Sequence, residues 1–178
     1  LALYAKQMRN YKEAEDLYLR FAKAERISGT EYEAIAYHQL GMIAQEKRDF
    51  DSAEVWYKKS LEIKEKYGND HEAATTYHQL GMIAEMRRDF DSAETWYKKS
   101  LGIEEKLGNE RGAATTYHQL GMIAQEKRDF DLAECWYNKS LEIEEKYGNE
   151  HGVAITYWNL GNIALKKKEL EVAEELLN

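Results

Sequence analysis

"YHQLGMIA" occupies Tyr37–Ala44, and the same eight letters return at Tyr77–Ala84 and Tyr117–Ala124. A fourth copy, "YWNLGNIA" at Tyr157–Ala164, keeps Tyr, Leu, Gly, Ile and Ala and changes three letters. The period of forty extends beyond the octapeptide. Gly41–Leu80 and Gly81–Leu120 differ at ten of forty positions, and Gly81–Leu120 and Gly121–Leu160 at thirteen. The chain is a tandem duplication, so the structure of one unit decides the fold.

Each unit reads as two helices. In the first, Ala73, Tyr77, Leu80, Gly81 and Ala84 recur at three- and four-residue spacing and share one face. In the second, Ala93, Trp96, Tyr97, Ser100, Leu101 and Ile103 form another broad apolar face. Asn69 is expected to cap a first helix, with Glu72 completing a capping box. Asp51, Asp91 and Asp131 are expected to cap second helices, with Glu54, Glu94 and Glu134 in the reciprocal position. Gly68, Gly108 and Gly148 are placed to end second helices in the left-handed conformation. A lone helix pair cannot cover both apolar faces, whereas stacked pairs bury them in one continuous core. Gly41, Gly81, Gly121 and Gly161 on first helices, with Ala53, Ala93, Ala133 and Ala173 on second helices, mark close crossings.

The 178 residues carry a net charge of −8, which disfavours nucleic acid as partner because phosphate binding needs a basic patch. No apolar run approaches the roughly 20 residues of a membrane span. The one cysteine, Cys135, excludes an internal disulfide framework and fits a reducing, cytoplasmic setting. It replaces Val55 and Thr95 of the sister copies and reads as a small packing residue. Phosphate loops, nucleophile–base sets and ligand spacing for a metal are not found, so neither catalysis nor a cofactor is expected.

Tyr77-x2-Leu80-Gly81 followed by Ala93-x3-Tyr97 resembles the tetratricopeptide repeat, as do Tyr37, Leu40, Gly41, Ala53, Tyr57 and Tyr117, Leu120, Gly121, Ala133, Tyr137. The period of 40 rather than 34 and the lack of the closing proline are similar to the long-repeat branch of kinesin light chains and bacterial signalling arrays. The resemblance implies an all-α, right-handed superhelical solenoid of antiparallel helix pairs. Its expected frame is one array over 1–178: a partial pair at 1–29, pairs at 30–69, 70–109 and 110–149, and a partial pair at 150–178. Leu1-Ala2 align with Leu40-Gly41 and Leu177-Asn178 with Tyr97-Lys98, so the chain is expected to be a piece of a longer protein.

Function is expected on the first helices, opposite their buried face. A spacing of 100° per residue sends His38, Gln39, Met42, Thr75, His78, Gln79, Met82, Met86, Thr115, His118, Gln119 and Met122 outward. Trp158, Asn159 and Asn162 take that face in the last copy. In tetratricopeptide arrays this face lines the concave groove, which implies a protein or peptide partner. Trp56, Trp96 and Trp136 read as core. Two alternatives stay open: weak end-to-end self-association through apolar ends (Leu3, Tyr4, Tyr11, Tyr18; Leu160, Leu170, Leu176), and a sensor array for a peptide or small ligand.

Overall fold

A computed structural model describes residues 10–28 and 31–177, with side chains for 10–27 and 31–169. The expectations on Leu1–Tyr4, and on the side chains of Leu170, Ala173 and Leu176–Asn178, lie outside the described residues. The chain divides into two compact units, residues 1–89 and 90–178. Unit one holds α1 (Tyr11–Ser28), α2 (Glu33–Glu46), α3 (Phe50–Lys66) and α4 (Asp70–Met86). Unit two holds α5 (Phe90–Lys106), α6 (Glu110–Glu126), α7 (Phe130–Lys146) and α8 (Glu150–Leu177). All regular structure among the described residues is helical, as the periodicity requires.

In unit one α2 and α3 form an antiparallel hairpin. It packs tightly at Gly41, where a Cβ would lie 2.7 Å from the ring of the fully buried Tyr57. The Ser60 hydroxyl, one turn on, donates to the Ala34 carbonyl at 2.8 Å. Unit two repeats both contacts between α6 and α7: a Gly121 Cβ would meet the Tyr137 ring at 2.8 Å, and Ser140 donates to Ala114 at 2.8 Å. Ala36, Leu40 and Ile43 of α2 pack on Ala14, Tyr18 and Ala22 of α1, so one helix face serves two neighbours.

The reversals have two forms. Second helices end at Gly68, Gly108 and Gly148, all with φ near +70°. First helices end at Arg48, Arg88 and Arg128, also with positive φ, although no glycine announces it. The Asp49 amide donates to the Ala44 carbonyl and the Arg48 amide to Gln45, a Schellman closure whose hydrogen bonds hold arginine in a region that L side chains disfavour.

Four expectations need correction. The caps of α3 and α7 are Asp49 and Asp129, which accept from the Ser52 and Leu132 amides; Asp51 and Asp131 lie inside the helix. Asp51 and Glu54 instead bind Arg87 at the end of α4, and in unit two Asp91 and Glu94 bind Lys127. Asn69 stands at the start of α4 but makes no cap bond; its amide donates to Glu31 at 2.9 Å. The third correction concerns α8, which runs unbroken where a turn and a further helix were expected. Where Arg128-Asp129 turns the chain, the last copy has Lys168-Glu169, and glutamate extends a helix more readily than it caps one. Among the described residues no helix folds back on Gly161, and a Cβ there meets nothing within 4 Å. Cys135 is exposed rather than packed.

Glycine at the crossing is required by contact and glycine in α8 is not. Gly121→Ala should cost about 1–2 kcal/mol net, the overpacking outweighing the gain in helix propensity. Gly161→Ala should gain about 0.5–1 kcal/mol. Urea unfolding of each variant measures both. Equal effects at the two positions would contradict the crossing as described.

Candidate functional site

The face that locks each hairpin also feeds a polar crevice between successive first helices. Tyr57, Ser60 and Lys64 lie three and four residues apart on α3, so Lys64 follows the locked contacts along one stripe. The residue is only 6% exposed. Lys64 Nζ donates to Thr76 Oγ1 at 2.7 Å and to the Glu72 carbonyl at 3.3 Å, and lies 3.5 Å from His38 Nδ1. One ammonium thus joins α2, α3 and α4. Burial pushes its pKa down to about 8, with Glu72 opposing. The His38 ring rests on the Tyr57 ring with centroids 5.3 Å apart.

Unit two builds the same crevice with the opposite charge. Glu144 of α7 takes the position of Lys64. Its Oε2 accepts from Thr156 at 2.9 Å and its Oε1 from Ser140 at 3.3 Å. The His118 ring lies 5.2 Å from the Tyr137 ring, with Nδ1 3.4 Å from Thr156 Oγ1 and Nε2 3.4 Å from Asn159 Nδ2. Burial lowers the His118 pKa, with Glu144 opposing, which favours the neutral ring. Thr156 spends its proton on Glu144 and the Asn159 amide donates. The network therefore assigns the Nδ1–H tautomer, with Nε2 accepting. A Cβ on Gly152 would collide with the Asn149 side-chain amide and lie 2.7 Å from Glu144 Oε1, so glycine makes room for both the cap and the carboxylate. Gly112 stands in the same relation to Glu104, at 2.9 Å. Asn109 and Asn149 cap their helices through the Gly112 and Gly152 amides, as Asn69 does not.

Two hollows open beside this network. The smaller, about 170 Å³, is walled by Thr115, His118, Gln119, Glu144, Gly152 and Ile155. The larger, about 390 Å³, shares Thr115 and Glu144 and adds Arg111, whose guanidinium lies 4.8 Å from the centre of the Tyr147 ring. Trp158, 69% exposed, follows Ile155 by one turn of α8.

A tetratricopeptide repeat profile matches residues 1–66, 32–106 and 112–178. The chain belongs to the tetratricopeptide repeat family. This is a family of protein-interaction scaffolds, and its helix-pair solenoid is the fold found here. BtubC (BKLC) from P. vanneervenii is similar at TM-score 0.85 and 22% identity, over 98% of this chain and 73% of that one. RapI in its apo form is similar at TM-score 0.85 and 17% identity, over 97% and 63%. A Podosopora anserina protein described as a kinesin light chain with nearly identical TPR-like repeats is similar at TM-score 0.76 and 16% identity, over 99% and 88%. No curated protein sequence matches.

Within these tetratricopeptide pairs the expected groove residues do not all face outward. Thr75, Met86, Thr115, Met122 and Trp158 are exposed. His38, Gln39, Met42, His78, Gln79, Met82, His118, Gln119 and Asn162 are half-buried, and Asn159 is buried on His118. His38 and His118 lean into the crevice between first helices of their own unit because a 100° wheel describes one helix and ignores the neighbour beside it. Burial lowers the His78 pKa as well. Trp56 and Trp136 stack on Tyr37 and Tyr117 at 5.5 and 5.6 Å and are only partly buried. Lys64 and Glu144 are the residues that sequence reasoning missed. The signal was present: Lys64, Glu104 and Glu144 change sign between near-identical copies, in step with Glu72, Gly112 and Gly152 eight residues on.

Lys64 gives a signed pH dependence. The unfolded lysine keeps its proton to about 10.4, while the folded one releases it near 8. Between these values the unfolded chain binds more protons, so the contribution of Lys64 to stability rises with pH. Urea unfolding of the wild type against Lys64→Met, from about pH 7.5 to about 9.5, should show the difference shifting toward the wild type by about 1–2 kcal/mol. A difference independent of pH would mean that the ammonium is solvated.

Proposed function

We propose that the chain is a non-enzymatic, cytoplasmic interaction module that holds an extended peptide segment of a partner along its first helices, as one array in the frame set by the sequence. The observation that carries this reading is on unit two. Exposed Met122, Ile155 and Trp158 flank a hollow walled by the hydrogen-bonding groups of Thr115, His118 and Gln119. Apolar anchors beside convergent polar groups are what a peptide site needs: area for affinity and polar groups for register. Met122 adds adaptable surface. His38, Gln39, Met42, Thr75, His78, Gln79, Met82 and Met86 make the corresponding wall of unit one, and Asn159 and Asn162 extend that of unit two. The exposed thiol of Cys135 suits a reducing compartment.

A displayed library of random 12-residue peptides, selected on the immobilised chain, tests the reading. Selected peptides should shift the amide resonances of Thr115, Gln119, Ile155 and Trp158. Trp158→Ala should weaken them about tenfold or more while leaving the melting temperature unchanged. No enrichment, or a footprint confined to second helices, would contradict the groove.

A second reading, self-association, has its own observation. Tyr157, Gly161 and Ala164 of α8 are exposed, while Tyr117, Gly121 and Ala124 at the same positions are buried. Sedimentation across concentration separates it from the first: a mass that rises with concentration favours self-association.

A further inference from the structure

The two crevices differ in a way that names a ligand. In unit one the position shared by α3 and the next first helix holds a lysine ammonium, and the chain itself supplies its acceptors: Thr76 Oγ1, the Glu72 carbonyl and His38. In unit two the same position holds the Glu144 carboxylate. It is half-buried, and among the described residues no lysine or arginine pairs with it. The Thr156 and Ser140 hydroxyls take one bond on each oxygen, where an ionised carboxylate can accept about four. Gln119 lines the same hollow, and its buried Oε1 has no hydrogen-bond partner. Position 72, glutamate in unit one, is Gly152 here, and Gly152 lines the hollow. At about 170 Å³ the hollow exceeds several times the roughly 30 Å³ that one water occupies in the liquid.

We propose that the hollow beside Glu144 receives a basic side chain, lysine or arginine, of the bound partner peptide, so that the partner supplies in unit two the cation that Lys64 supplies in unit one. This rests on the peptide-groove reading and adds the chemistry of one subsite. A half-buried carboxylate is screened less than a surface one, and a guanidinium can bond both its oxygens at once. Arg111 does not fill the role. Its guanidinium lies over Tyr147 in the adjoining hollow and repels a second cation there, which sets the position that the basic residue takes.

The test uses N-acetyl-arginine amide on the isotope-labelled chain, with N-acetyl-citrulline amide as the uncharged isostere. The arginine compound should give saturable shifts at Thr115, Gln119 and Gly152. Citrulline should bind at least about fivefold more weakly, and added salt should weaken only the arginine. Glu144→Gln should abolish the preference. Gln119→Met leaves the Glu144–Thr156 bond in place and should weaken the arginine compound severalfold; it carries the test if Glu144→Gln does not fold. Arg111→Gln should tighten binding. Absence of shifts, equal binding of citrulline, or a preference that survives in Glu144→Gln would overturn the proposal. The peptide library separates the two readings. Peptides that bind α6 and α8 with no enrichment of Lys or Arg would overturn this subsite and leave the groove, whereas no selected peptide would overturn the groove itself.

Discussion

The structure depends on one contact, an aromatic ring laid on a bare α-carbon. Tyr57 covers Gly41 and Tyr137 covers Gly121, and both tyrosines are fully buried. The missing Cβ lets the two helices of a pair approach until the Ser60 and Ser140 hydroxyls reach carbonyls of the partner helix. Tyr, Ser and the residue at position 64 or 144 lie on one stripe of the second helix. Locking the first two therefore aims the third into the crevice between first helices. The hairpin that makes the scaffold is also what positions the chemistry.

Around that scaffold runs a ladder of exposed ion pairs: Lys47 with Glu15, Arg87 with Asp51 and Glu54, Lys127 with Asp91 and Glu94, Lys167 with Asp131 and Glu134. Such surface pairs contribute about 0–1 kcal/mol each and weaken with salt. They set the register of one pair on the next more than they stabilise it. The crevice groups act differently. Lys64 and Glu144 are drawn out of water, so their bonds to threonine decide whether burial is tolerated. Charge near the surface is repetitive here, and charge in the crevice is individual.

The repeat, the helix pairs, the left-handed glycines and the Gly41 and Gly121 crossings were legible in the sequence, because each is a local rule repeated at a fixed period. The arginines at positive φ were not, since nothing in "KRDF" distinguishes a Schellman closure held by neighbouring hydrogen bonds from an ordinary turn. Asp51 looked like a cap because it precedes the apolar run, but Asp49 occupies the turn, and Asp51 is drawn to a cation in the following helix. The last copy misled for a similar reason: alignment predicted a turn at Lys168-Glu169, whereas the exchange of aspartate for glutamate removes the cap. The candidate site was half legible. The wheel found the right helices and the exposed Met122 and Trp158, but it could not show that His118 leans on Tyr137, because that contact belongs to a second helix. The changes at Lys64/Glu144 and Glu72/Gly152 could be seen only by asking which differences between copies move together.

The central claim is that one repeated scaffold carries exchangeable crevice chemistry, with Glu31, Lys64 and Glu72 in unit one answered by Arg111, Glu144 and Gly152 in unit two. Transplanting the first set into the second tests it most directly, through urea unfolding of Arg111→Glu, Glu144→Lys, Gly152→Glu and the triple variant. Gly152→Glu alone should cost about 1–3 kcal/mol, because its Cβ meets the Asn149 side-chain amide as well as the Glu144 carboxylate. The triple variant should recover most of the summed loss, with lysine bonded to Thr156 as Lys64 is to Thr76 and Asn149 released toward the new glutamate. Losses that simply add, within about 0.5 kcal/mol, would show that the three positions are independent and would contradict the account.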